Sequence, residues 1–309
     1  MRQEAYFCTV KELDELGKNN IPRQLISHTH LIYSSPATLA FNSPGAEGFG
    51  VKRAGLAVPD SVMLIVSPGC CGRNTSVLSS MRAYQDRFYY LLMDETDIVT
   101  GRHLKKIPKA VAEICEGLKK KPSVVMICIT CVDALLGTDM ERVCHKAEEY
   151  AGVPVRPCYM YALTREGRKP PMVHVRQSVY SLLEPKKKKG NVVNLLGYFS
   201  PLTDDCELYD LLHGAGVKTI HEISRCKDYA QYQTMSEANF NLVLHPEARF
   251  AAEDFHDRLK IPYIELRRLY QIDKIASQYR ALAAALGVEF EDEIPVSYTH
   301  LRAHETGAY

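Results

Sequence analysis

The sequence predicts an α/β protein of two units, each a parallel sheet covered by helices. Three observations predict it. From residue 61 onward, short β-branched runs alternate with longer segments of helical period, the pattern of βαβ crossovers. The run Pro185-Lys-Lys-Lys-Lys189-Gly190 interrupts that pattern, which then restarts. The chain has 309 residues, 46% hydrophobic and 24% charged, an ordinary globular composition with enough material for two cores.

The first strand is expected over residues 61–67, where Val62 to Val66 carry no charge. It must stop at Pro68-Gly69-Cys70-Cys71-Gly72, a turn through which no strand continues. Leu104, Ile107, Val111, Ile114 and Leu118 recur at spacings of three and four, so an amphipathic helix is expected over 102–119, with Pro108 tolerated in its first turns. A buried strand over 123–129 leads to Thr130 and Cys131, and a helix over 139–150 follows. A strand over 153–158 and a helix over 172–183 complete the first unit, residues 1–189. Lys186 to Lys189 is read as a solvated linker. The second unit, residues 190–295, has strands expected over 191–196, 217–220, 240–244 and 261–264. Its helices are expected over 204–212 and 272–286, and the unit reads as a Rossmann-like domain. The tail, residues 296–309, resembles a translated sequencing-library adapter and is set apart from fold reasoning. His300 and His304 are therefore not ligand candidates, and the natural chain is expected to be longer.

Bulk charge narrows the partners. With 38 basic and 37 acidic residues the net charge is +1, so no general attraction to nucleic acid or a lipid surface is expected. The amino terminus mixes Arg2, Glu4, Lys11, Glu12, Asp14 and Glu15 with its apolar residues, unlike a signal peptide or a membrane span, and the cytoplasm is the expected compartment. Ten cysteines in such a compartment read as reduced thiols and candidate metal or redox groups rather than disulfides.

Two cysteine pairs fall at strand ends. Cys70 and Cys71 follow the first strand, Cys128 and Cys131 end the 123–129 strand, and in a parallel sheet such loops gather at one carboxyl edge. Thiolates held at several angles suit an iron-sulfur cluster, and Gly69 and Gly72 let the backbone approach a bulky group. Adjacent cysteines point in different directions, so one of Cys70 and Cys71 is enough. Cys128, inside an apolar run, is equally a small core residue. Two other chemistries use the same thiols: a structural zinc site, although zinc favours two Cys-x-x-Cys knuckles, and a thioredoxin-like pair at Cys128-Ile-Thr-Cys131. Cys8, Cys115, Cys144, Cys158, Cys206 and Cys226 read as packing or surface thiols. No Walker-type loop is present, and Gly45-Ala-Glu-Gly-Phe-Gly50 lacks the dinucleotide order, so no nucleotide site is expected.

Three segments carry a family resemblance in order. Ser67-Pro-Gly-Cys-Cys-Gly72 resembles the Gly-Cys loop of nitrogenase component 1 proteins. Asp94-Glu-Thr-Asp-Ile-Val-Thr-Gly101 resembles their Glu-x-Asp-Ile-Val-x-Gly segment, and Thr130-Cys-Val-Asp-Ala-Leu-Leu-Gly-Thr-Asp-Met-Glu141 their third ligand segment. The resemblance extends over about residues 30–290 and implies the Rossmann-like domains of that family, with its third domain missing here. It puts Cys71 and Cys131 at the second and third ligand positions of the cluster shared between two component 1 subunits. The first ligand position falls in residues 33–50, which hold no cysteine; Ser34, Ser35 and Ser43 are the nearest polar residues. A single 4Fe-4S cluster completed by Cys70, Cys128 or a partner-chain residue is therefore expected rather than an eight-iron P-cluster. His245 stands near the position of the cysteine that holds the active-site cofactor of the catalytic subunit, which implies a cofactor or substrate contact but not the nitrogen-reducing site. The implied partners are a homologous component 1 subunit and a separate ATP-dependent iron protein with its own P-loop. The implied role is an electron relay to an unsaturated substrate; a scaffold for metal-cofactor assembly and a zinc-stapled, non-redox binding domain are the alternatives.

Overall fold

The structure is a computed structural model that describes residues 9–17, 20, 50–69, 81–82, 84–160, 169–267, 269 and 271–288. After helix α1 (Val10–Leu16) come α2 (Gly50–Gly55), β1 (Val62–Ser67), β2 (Phe88–Leu92), α3 (Glu95–Thr100), α4 (His103–Gly117) and β3 (Val125–Ile129). Then follow α5 (Cys131–Leu136), α6 (Met140–Ala151), β4 (Val155–Tyr159) and α7 (Pro171–Tyr180). The second unit has β5 (Val192–Leu196), α8 (Glu207–Gly214), β6 (Thr219–His221), α9 (Tyr229–Gln233), β7 (Phe240–Val243), α10 (Arg249–Leu259), β8 (Tyr263–Glu265) and α11 (Ile272–Leu286).

Both sheets are parallel and repeat one strand order. The first runs β2-β1-β3-β4 and the second β6-β5-β7-β8. In each, the chain leaves its first strand toward one side and returns on the other. The topological switch points therefore lie between β1 and β3 and between β5 and β7, where α/β sheets bind ligands. Fully buried β1, β3 and β5 are apolar almost throughout, as strands covered on both faces must be.

Alternation along the strands sorts the core into layers. Val62, Leu64 and Val66 of β1 face a cluster built with Ile107 and Val111 of α4 and Cys144 of α6. Met63 and Ile65 face a middle cluster that takes Val175 and Val179 from α7, Phe255 and Leu259 from α10, and Leu196 and Val243 from the second sheet. The far face of the second sheet packs Val193 and Leu195 against Leu212 of α8 and Leu282 of α11. One helical layer is thus shared by both sheets. Arg176 of α7 ties it further: Nε and Nη2 donate to Gly197 O at 3.0 and 2.7 Å, and Nη1 to Glu247 Oε2 at 2.7 Å, with both side chains buried.

Elsewhere the structure departs from the sequence reading at identifiable places. β3 starts at Val125 because Ser123 is held in a turn, its N–H on Asp60 O and its Oγ on Pro59 O. The helix expected over 172–183 closes at Tyr180. Leu182 and Leu183 lie beyond it, buried in the middle cluster, and their burial mimicked helical period. Pro108 lies in the second turn of α4, within the first turns as expected, and the helix accommodates it behind a tightened start, with Leu104 N–H on Gly101 O and Lys105 N–H on Arg102 O. The elements read from the sequence omit α1, α2, β2, α3, α5, α9 and α10.

Candidate functional site

The first switch point is built by two strand ends. Val66 pairs with Ile129, so Ser67 lies beside Thr130 one step further, on strands about 4.8 Å apart. Ser67 continues the face of Met63 and Ile65, and Thr130 the face of Met126 and Cys128. Both side chains are buried, at 0% and 2% exposure, and neither Ser67 Oγ nor Thr130 Oγ1 has a hydrogen-bond partner. Cys131 opens α5 immediately after Thr130, and the chain leaves β1 through Pro68 and Gly69. Cys70 and Cys71 lie outside the described residues, as does most of the 33–50 segment. The two cysteine loops therefore depart from neighbouring strands at one carboxyl edge.

Cys128 has a different environment. It is wholly buried in the middle cluster, in register with Cys158 of β4. This is the core alternative left open by the sequence. It also removes the thioredoxin-like arrangement, because Cys128 is an interior strand residue and only Cys131 is at a helix start. Burial pushes the Cys158 and Cys144 thiols well above the ordinary range and Cys226 up to about 11. Among the described residues no group of three or more His, Cys, Asp or Glu side chains is placed to hold a metal ion.

Behind α5 lies a polar network that sequence reasoning did not identify. Asp133, fully buried, accepts from Thr138 Oγ1 at 3.0 Å and pairs through Oδ1 with His103 Nε2 at 2.9 Å. His103 Nδ1 faces Asp97 O at 3.0 Å, so both ring nitrogens face acceptors and a proton lies between His103 and Asp133. Asp133 Oδ2 has no partner. Asp97 itself caps α3 through a reciprocal box with Asp94, and the Lys106 ammonium and Arg102 guanidinium, each at 2.7 Å, hold its carboxyl well below the usual carboxylate range. The Asp94 to Gly101 motif is thus a capped turn that positions α4 and, through His103, the short helix that starts at Cys131. An acid in an otherwise apolar helix was the available signal.

At the second switch point, His245 follows β7. Its Nδ1 accepts from Glu247 N–H at 3.3 Å, which in the neutral ring puts the proton on Nε2. Tyr198 meets the ring edge-on at 5.7 Å between centroids, and the side chain is 34% exposed. Gly197, at φ 140°, passes so close that a Cβ would lie 2.7 Å from His245 N. Only glycine fits there. Helix α7 joins the two edges: His174 packs on Tyr159, the last residue of β4, with ring centroids 4.9 Å apart, and Arg176 reaches the ends of β5 and β7.

A cluster held by thiolates fits the first edge. It presents sulfur acceptors on every side. The edge offers Cys131, a glycine-containing turn and two buried hydroxyls with unused donors. Among curated relatives, the chain is 27% identical over 260 residues to the nitrogenase iron-molybdenum cofactor biosynthesis protein NifE of Nostoc sp., covering 81% of this chain and 52% of that protein. The NifE protein of Klebsiella pneumoniae is 27% identical over 266 residues, covering 79% and 58%. The chain thus spans about half the length of the curated relatives it matches. A solved structure of nitrogenase Cp1 at pH 6.5 superposes with a TM-score of 0.61 at 18% identity, covering 88% of this chain and 63% of that one, and shows the shared fold. The family model described as nitrogenase component 1 type oxidoreductase matches residues 47–303, ending inside the tail set apart above. The chain belongs to the nitrogenase component 1 type oxidoreductase family.

Proposed function

We propose that this chain is an iron-sulfur subunit of a nitrogenase-like two-component reductase, relaying electrons from an ATP-dependent P-loop iron protein toward a substrate bound between its two sheets. The observation that carries this reading is that β1 and β3, after which the sequence runs on to residues 70–72 and to Cys131 respectively, are adjacent parallel strands at a switch point, in a chain of this family. Cys131 and Cys71 hold the cluster, with Cys70 or a residue of a homologous subunit completing the set; a single 4Fe-4S cluster is the expected form. When bound, the cluster supplies one-electron chemistry. The protein's residues do the rest. The His103–Asp133 pair anchors α5 and so fixes the Cys131 backbone, and the middle cluster keeps water from the inner side of the edge. His245, with Tyr198 against its ring at the second switch point, is the residue we place beside a cofactor or substrate. Glu247, whose carboxylate is fixed by Arg176, orients that ring through its backbone N–H. No described helix is long and apolar enough to cross a membrane.

The relatives named as cofactor biosynthesis proteins favour a second reading, a scaffold on which a metal cluster is built and handed on. The two separate in one assay. The full-length protein is loaded with iron and sulfide, mixed with a P-loop iron protein and ATP, and followed by EPR. Reduction of the cluster that depends on ATP hydrolysis, with the iron retained, supports the relay. Loss of the cluster to an acceptor protein without such reduction overturns it in favour of the scaffold.

A further inference from the structure

Two buried hydroxyls at the first switch point have no hydrogen-bond partner among the described residues. Ser67 Oγ and Thr130 Oγ1 sit on adjacent strands, on the same face, at the ends from which the 70–72 loop and Cys131 depart. A buried hydroxyl left unsatisfied costs about 1–3 kcal/mol, and a pair of neighbours in this condition calls for a third body that accepts from both. Apolar replacements of similar volume would relieve the cost, as valine does at Val66 and Val125 nearby. The other orphaned polar atoms in the buried strands occur as a donor and an acceptor side by side, Asn241 Nδ2 and Asn194 Oδ1, on residues already bonded to each other. Ser67 and Thr130 share no such bond.

We infer that Ser67 and Thr130 donate hydrogen bonds to the sulfur atoms of the cluster held at Cys131 and set its reduction potential. This rests on the cluster assignment above. Sulfides and thiolates accept hydrogen bonds, and each bond favours the reduced, more negative cluster, so donors at this edge raise the potential. The proton stays on each hydroxyl oxygen while a single electron enters or leaves the iron. The two residues are positioning groups for the cluster's electronics rather than ligands.

The test uses full-length, iron-loaded protein and measures iron content and the EPR-monitored midpoint potential, with dithionite as reductant. Cys131→Ala is included to examine the cluster assignment separately: retained iron and signal in that variant defeat the relay reading itself. With the assignment intact, Ser67→Ala and Thr130→Val keep wild-type iron content. Their potentials become more negative by an amount equal to about a tenfold change in the reduced-to-oxidised ratio, about 59 mV for one electron. Thr130→Ser, which keeps the hydroxyl, retains the wild-type potential. Unchanged potentials in both Ser67→Ala and Thr130→Val overturn the inference while leaving the cluster in place, as does a Thr130→Ser shift as large as that of Thr130→Val.

Discussion

Individual ion pairs show where this chain concentrates its specificity. Arg176 and Glu247 are both nearly fully buried, and Arg176 also satisfies Gly197 O and Met172 O. Removing one partner leaves a buried charge without compensation, which costs about 3–5 kcal/mol, whereas replacing both with apolar groups is close to neutral. Arg176→Met should therefore lower the urea midpoint sharply, and Arg176→Met/Glu247→Met should recover most of the loss; equal losses would show that the pair does not act as a unit. Asp97 makes a pH-dependent contribution. Its folded pKa lies below the unfolded value of about 3.9, because Lys106 and Arg102 favour the carboxylate. The stabilisation is present above that unfolded value and is lost as pH falls through the folded one. The stability gap between wild type and Asp97→Asn, followed by urea unfolding, should be constant near neutrality and narrow below about pH 4; a gap unchanged in acid contradicts the assignment.

Elements with strong internal patterns were legible before any coordinates. The 272–286 helix matches Ile272–Leu286, and the buried runs became β1, β3, β5 and β7 within a residue or two. What escaped had a weaker physical signal. β2 is an edge strand in which only Phe88 is buried and Tyr90 and Leu92 are exposed, so its sequence never reads as a buried run. α10 presents two alanines, Ala251 and Ala252, among its buried positions, and small side chains give little amphipathic contrast despite complete burial. At the site, Cys131 and its strand-end position were legible, while the orphaned hydroxyls and the His103–Asp133 pair were not, because sequence carries no information on which buried polar groups find partners. The amphipathic reading of α4 makes a prediction at this scale. Ile107 is fully buried in its inward stripe. Ile107→Ala should cost about 2–5 kcal/mol in urea unfolding, far more than Lys109→Ala on the outer side; equal effects would contradict the assigned face.

At the scale of the whole molecule, two sheets of identical strand order share one helical layer, so α7 touches the carboxyl edges of both. The ends of β3 and of β7, where Cys131 and His245 lie, are therefore linked through one shared core. The account stands or falls on whether that first edge carries iron. The most direct measurement is anaerobic purification of the full-length protein with iron and sulfide analysis and low-temperature EPR of wild type, Cys71→Ala and Cys131→Ala. Stoichiometric iron and sulfide with a cluster signal in wild type, abolished by either substitution, is the predicted result. A colourless protein holding zinc or no metal, and indifferent to both substitutions, would contradict it.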